Sequence, residues 1–152
     1  MAANLRRRLL SFCSELYPLV KTGGLADVCA ALPRALVHEG VDVSLMLPAY
    51  PSVLAGVENP QEVFRLPGGG RILRGCMPDS HLTIYLFDEP DLFCRPGGPY
   101  QDASHRDWPD NHRRFAVFCR AAAALAVHGD AEGWVPDVVH AHTTGTQRWC
   151  LP

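Results

Sequence analysis

The feature that most narrows the fold is a double change of apolar period within the first 48 residues. Leu9–Phe12 is a short continuous apolar run of the kind that forms a buried strand. A loop from Cys13 to Gly24 follows. From Leu25 to Glu39 the apolar residues Leu25, Val28, Leu32, Ala35 and Leu36 recur at the i, i+3, i+4 spacing of one helical face. Pro33 should kink or weaken that helix, and Gly40 ends it. Val41–Leu47 is apolar and β-branched enough for a second strand, which Pro48 stops. A strand, loop, helix and strand in this order imply parallel strands joined by a right-handed crossover.

The rest of the chain continues the theme less regularly. Val63–Leu66, Arg71–Met77 and Leu82–Phe87 read as strands, broken by Pro67-Gly68-Gly69-Gly70 and by Pro78-Asp79. Prolines and glycines from Asp88 to Pro109 predict a long loop, and loops of that length inside a domain are usually functional or mobile. Asp110 then caps a helix reaching about His128, with Phe115, Phe118, Cys119, Ala122, Leu125 and Ala126 as its buried stripe. Asp137–His142 reads as another buried strand with a polar end. Alternation of strands and helices predicts an α/β fold, a doubly wound parallel sheet. Ligands of such sheets sit beyond the carboxyl ends of the strands. The loop after Phe12 and the residues around His142 are therefore the places to look for function.

Composition excludes several alternatives. The 152 residues suffice for one domain with a real core and not for two. A net charge of −2, with Arg6–Arg8 the sole basic run, argues against nucleic acid as a partner. No apolar stretch approaches the roughly 20 residues of a membrane helix. The six cysteines contain no C-x-x-C pair. The start imitates a signal peptide, but its apolar run is too short and lacks a cleavage site. Reduced thiols in a cytoplasmic protein are the expectation.

Lys21-Thr22-Gly23-Gly24-Leu25-Ala26-Asp27 stands where the first strand hands over to the first helix. Adjacent glycines let backbone approach a ligand, and a helix N-terminus offers free N–H groups and a positive dipole end. A lysine beside them suits a phosphate or diphosphate, although the order of residues is neither a Walker A loop nor a G-x-G-x-x-G fingerprint. An ordinary glycine turn, with Lys21 in solvent and Asp27 complementing the dipole, would give the same local pattern. Lys21 is the only lysine among 14 basic residues.

The residues from Ser14 to Val28, then Ala31-Leu32-Pro33 and Leu47-Pro48-Ala49-Tyr50-Pro51, closely resemble the start of bacterial glycogen synthases and plant starch synthases. Arg95-Pro96-Gly97-Gly98-Pro99-Tyr100, Asp110-Asn111 with Arg114-Phe115, and Trp134–His142 match as well, in order and in register. The resemblance implies the N-terminal half of a two-domain, GT-B glycosyltransferase of Rossmann-like halves. It implies retaining transfer of glucose from ADP-glucose to the non-reducing end of an α-1,4-glucan, glycogen or starch, without a metal or other cofactor. By the same resemblance Lys21 would contact the phosphates of ADP-glucose. Gly23 and Gly24 would offer backbone to the sugar or phosphate, and Asp27, Tyr100 and His142 would line the cleft. Two other readings stand beside it: a non-catalytic glucan-binding module, and a metal-dependent hydrolase using His140 and His142, whose i, i+2 spacing on a strand points both rings the same way.

The resemblance covers residues 9–142, leaving 1–8 as an extension and 143–152 as a tail unlike the family. After His142 the family continues with aspartate, tryptophan and histidine, whereas this chain has Thr143-Thr144-Gly145-Thr146. Read one base out of phase, codons for the last ten residues can spell His-Asp-Trp-His-Thr-Ala-Leu-Val-Pro-Ala. The valine is forced, because Trp149-Cys150 must be TGG TGY. The tail is therefore expected to be a frameshifted reading, with a spliced or deliberately short protein as the alternative, and the nucleotide sequence through His142 decides between them. A polypeptide lacking the later family motifs is expected to show no glucosyl transfer by itself.

Overall fold

The computed structural model describes residues 6–142. In chain order its elements are β1 Arg8–Phe12, α1 Leu25–His38, β2 Asp42–Pro48, α2 Pro51–Gly56, β3 Glu58–Arg65, β4 Arg71–Cys76, β5 Thr83–Asp88, α3 Pro90–Phe93, α4 Asn111–His128 and β6 Val138–Ala141. They form one six-stranded sheet in the order β3-β4-β5-β2-β1-β6. Strands β5, β2, β1 and β6 are parallel, as the sequence predicts, with Leu10 opposite Ser44 on one side and Val139 on the other. The other two strands extend this parallel sheet in the antiparallel sense, β4 against β5 and β3 against β4. The cause is loop length. A parallel return needs a connection of roughly a dozen residues or more, and the glycine turn after Arg65 and the turn closed by Met77 N–H on Leu82 O are both shorter.

Helix α1 runs unbroken through Pro33, which lies buried within it. Its termination is a Schellman motif: Gly40 N–H donates to Val37 O at 3.0 Å and Val41 N–H to Leu36 O at 3.0 Å. Gly40 takes φ +84°, a conformation open to glycine at little cost. The buried face is displaced from the expected one. Ala26, Cys29 and Pro33 are buried, while Val28 is 54% exposed. In α4 the expected Phe115, Phe118, Ala122 and Leu125 are buried, but Ala121 and Arg114 join them in place of half-buried Cys119 and Ala126. Asp110 precedes this helix without capping it by its side chain, because its carboxylate pairs with Arg95 instead, at 2.8 and 2.7 Å.

Phe118 anchors one layer of the core, its ring 5.7 Å from Phe12 and 6.5 Å from both Phe87 and Phe93. Strand β6 is not the buried strand expected. Val138 and Val139 are 42% and 44% exposed, because β6 lies at the sheet edge. Cys13, Cys29, Cys76 and Cys94 are free thiols.

The connection from β1 leads to β2, and the one from β5 returns past both to β6. Neighbouring strands β1 and β6 thus bracket the point where the winding reverses, and their carboxyl ends open a crevice there. The Lys21 loop leaves β1 at this crevice, and His142, beside it, donates its N–H to Phe12 O at 3.1 Å.

Candidate functional site

The loop from Cys13 to Gly24 is folded back on the protein. Leu16 and Val20 exchange backbone hydrogen bonds of 3.0 and 2.9 Å, and Tyr17 N–H reaches Ala26 O at 3.2 Å. This turn carries Lys21 to the protein surface, where its ammonium donates to both carboxylate oxygens of Asp27 at 2.8 and 2.7 Å. Both side chains are about half exposed, so the pair contributes little stability and opens readily to another anion. Lys21 and Asp27 are thus brought together as one unit.

Gly23 and Gly24 are exposed, with no heavy atom within 4 Å of where a Cβ would stand, and neither has a positive φ. The fold therefore gives no reason for glycine at either position. Gly24 begins α1 without any side-chain cap, so the first N–H groups of the helix are unclaimed by a capping side chain. Gly24→Ala is accordingly expected to change thermal stability by less than about 1 kcal/mol. Any ligand lying on this backbone should lose about tenfold in affinity, as calorimetry of the variant would read.

The residue that shapes the loop is one to which the sequence assigned no role. Glu15, 3% exposed, accepts from Thr22 N–H and Thr22 Oγ1 at 2.6 Å each, from Gly23 N–H at 3.2 Å and from the Tyr100 hydroxyl at 2.8 Å. Burial alone would raise its pKa, but the bonds from Thr22, Tyr100 and Gly23 outweigh that and hold it below the ordinary range. Nothing periodic marks such a residue; its one signal is a carboxylate just ahead of the apolar run Leu16–Val20. Tyr100, expected to line the cleft, is half-buried. Its ring packs on Phe115 and its hydroxyl lies 2.5 Å from Ser14 Oγ, so it braces Glu15.

His142 is buried beside the same loop, with Nε2 3.2 Å from Ser11 Oγ. Its ring lies 4.3 Å from that of His140, as the shared strand face predicts. Cys29 of α1 also adjoins it. A hydrogen bond with Cys13 pushes the Cys29 thiol down to about 6 against the opposing effect of burial, and His142 adds to that lowering. Among the described residues no group of three His, Cys, Asp or Glu side chains is placed to hold a metal ion. The structure thus supplies the histidine pair of the metal-hydrolase reading without a third ligand among those residues. Thr143 and the rest of the divergent tail lie outside the described residues.

A doubly wound α/β domain with a lysine–glycine loop at its switch point places the candidate site where this fold class takes its ligands. The model of the starch synthase catalytic domain family matches residues 8–145. The chain belongs to that family. It is 48% identical over 138 residues to a glycogen synthase of Acidiphilium cryptum and 50% identical over 137 residues to one of Granulibacter bethesdensis, each alignment covering 89% of this chain and 28% of the relative. The catalytic domain of starch synthase IV from Arabidopsis thaliana bound to ADP and acarbose superposes with a TM-score of 0.72 at 25% identity, over 95% of this chain and 29% of that one. The chain thus spans under a third of the length of the curated relatives it matches. No helix among the described residues is long and apolar enough to cross a membrane.

Proposed function

We propose that this chain forms the acceptor-side, N-terminal part of the cleft in a synthase that transfers glucose from ADP-glucose to the non-reducing end of an α-1,4-glucan. In this reading residues 9–142 are the domain, 1–8 an extension and 143–152 a tail outside it, and the setting is cytoplasmic. The observation that carries the proposal is the Lys21–Asp27 unit at the mouth of the crevice, beside two glycines that the fold itself does not require. The starch synthase IV structure holds ADP and acarbose, a nucleotide and a glucan-like sugar, which supports the same pair of substrate classes here.

The chemistry follows from charge. As the glucosyl bond to the diphosphate breaks, negative charge grows on the leaving oxygen, and a positioned cation stabilises it more than it stabilises the ground state. Lys21 supplies that cation after exchanging Asp27 for phosphate, and the N-terminal end of the α1 dipole adds a second source of positive potential. Glu15 keeps the loop in the conformation that presents both. The proposal involves no metal or cofactor.

NMR titration of the chain with ADP-glucose tests this. The amide resonances of Gly23, Gly24 and Leu25 are expected to move, while those of β3 and β4 stay in place. An unchanged spectrum, or changes confined to residues far from the loop, would overturn the proposal.

A further inference from the structure

A cavity adjoins the Lys21 loop through Val20. Its volume is about 300 Å³, and Tyr50, Ser52, Phe93, Arg95, Gly97 and Arg114 are among its lining residues. Two of these carry polar groups that the fold leaves unused. The Tyr50 hydroxyl is buried with no hydrogen-bond partner, while the whole residue is 5% exposed. An unsatisfied buried hydroxyl is costly, and a native structure rarely retains one without a use.

Arg114 is the second. It is 1% exposed, and its guanidinium donates only to neutral acceptors: Nε to Leu92 O at 2.7 Å, and Nη1 to Pro99 O at 2.9 Å and Asn111 Oδ1 at 2.7 Å. Among the described residues no carboxylate forms an ion pair with it, since Asp110 is engaged by Arg95. The rings of Phe93, Trp108 and Phe115 lie 5.1 to 5.7 Å from the guanidinium carbon and offset part of the burial cost. A buried cation facing aromatic rings and carbonyls still leaves the cavity positive. Its Nη2 has no hydrogen-bond partner among the described residues, which leaves two N–H donors for a guest.

From this cavity we infer a binding site for a small phosphate monoester, of the size of a hexose phosphate. Free donors on Tyr50, Ser52 and Arg114 require an acceptor-rich guest, and the unmatched cation requires a negative one. A carboxylate is best held by two nitrogens of one guanidinium, and here Nε and Nη1 are already committed to carbonyls. A phosphate accepts from several directions and suits single contacts from separate groups. The volume is at the small end of ligand sites, enough for one sugar ring with its phosphate and too small for a sugar nucleotide. Gly98 and Pro99 line this cavity and also a second one that reaches Thr22 and Tyr100, so a guest would share a wall with the Lys21 loop. Gly97 is fixed there by φ +137°, and a Cβ would stand 2.5 Å from Gln101 O.

The inference is independent of the sugar-nucleotide reading, and calorimetry of the 152-residue chain separates the two. Glucose 1-phosphate and inorganic phosphate are the probes, and glucose is the neutral control. Glucose 1-phosphate is expected to bind and glucose not. Tyr50→Phe, which removes a hydroxyl and no volume, should weaken binding about tenfold. Ser52→Asp, placing a negative charge at the exposed rim, should weaken it further while complementing the start of α2. Lys21→Ala should leave this binding unchanged and abolish only that of ADP-glucose. The inference is overturned if neither phosphate binds, if glucose binds as well as its phosphate, or if both pocket variants bind like the parent. Inorganic phosphate binding as tightly as glucose 1-phosphate would keep the anion site and overturn its sugar part.

Discussion

Glu15→Ala is expected to destabilise the chain by about 3 kcal/mol and to erase the binding of ADP-glucose, measured by denaturant unfolding and calorimetry on the same preparation. The carboxylate gathers four donors from Thr22, Gly23 and Tyr100. Hydrogen bonds to a charged group contribute about 1.5–3 kcal/mol, and their loss leaves several donors unpaired at once. The loop between Leu16 and Gly24 would then be held mainly by the Leu16–Val20 pair. A pH series gives a second readout. The Glu15 pKa is lowered in the folded protein, so its stabilisation is present above the ordinary glutamate value of 4.5 and is lost as pH falls through the lower, folded value. The parent should therefore lose stability on the acid side of 4.5, and Glu15→Gln should flatten that limb. A variant as stable as the parent, with the same acid limb, would show that Glu15 does not hold the loop.

Lys21→Ala is expected to behave in the opposite way. Its stability should lie within about 1 kcal/mol of the parent, because the pair with Asp27 is half exposed. Glucosyl transfer by a complete synthase carrying this domain should nevertheless fall about a hundredfold or more, the usual scale for removing one group that meets developing charge. The loss should fall on kcat as well as on KM, because the ammonium is needed most when the diphosphate departs. Lys21→Arg should recover only part of it, since a planar fork does not replace a compact ammonium beside two glycines. An unchanged kcat with a raised KM would confine Lys21 to ground-state binding.

Much of this architecture was legible because short-range patterns carry it. The strand before the Lys21 loop, the helix after it and the aromatic stripe of α4 are periodic signals within windows of under 20 residues. The lysine–glycine segment was equally visible, as a motif and through its resemblance to glycogen and starch synthases. What escaped was long-range. Which face of α1 is buried depends on where it crosses the sheet, and that placed Cys29 and Pro33 inward and left Val28 in solvent. Asp110 looked like a helix cap until Arg95, 15 residues earlier, claimed its carboxylate. Tyr100 and Glu15 are separated by 85 positions, and no local pattern announces that they meet.

The sequence by itself determined that a parallel α/β unit presents Lys21, Gly23, Gly24 and Asp27 where a strand meets a helix. That follows from residue spacing and backbone freedom alone. The tertiary structure decided the rest. It turned the middle strands antiparallel because their connections are too short to cross over, and put β6 at an edge with its valines exposed. It also brought the Tyr100 hydroxyl onto Glu15 as a brace. A buried arginine without a counter-charge and a tyrosine hydroxyl without a partner can only be seen once every neighbour has been placed. Desolvation and hydrogen-bond satisfaction are properties of the packed protein and not of any stretch of its chain.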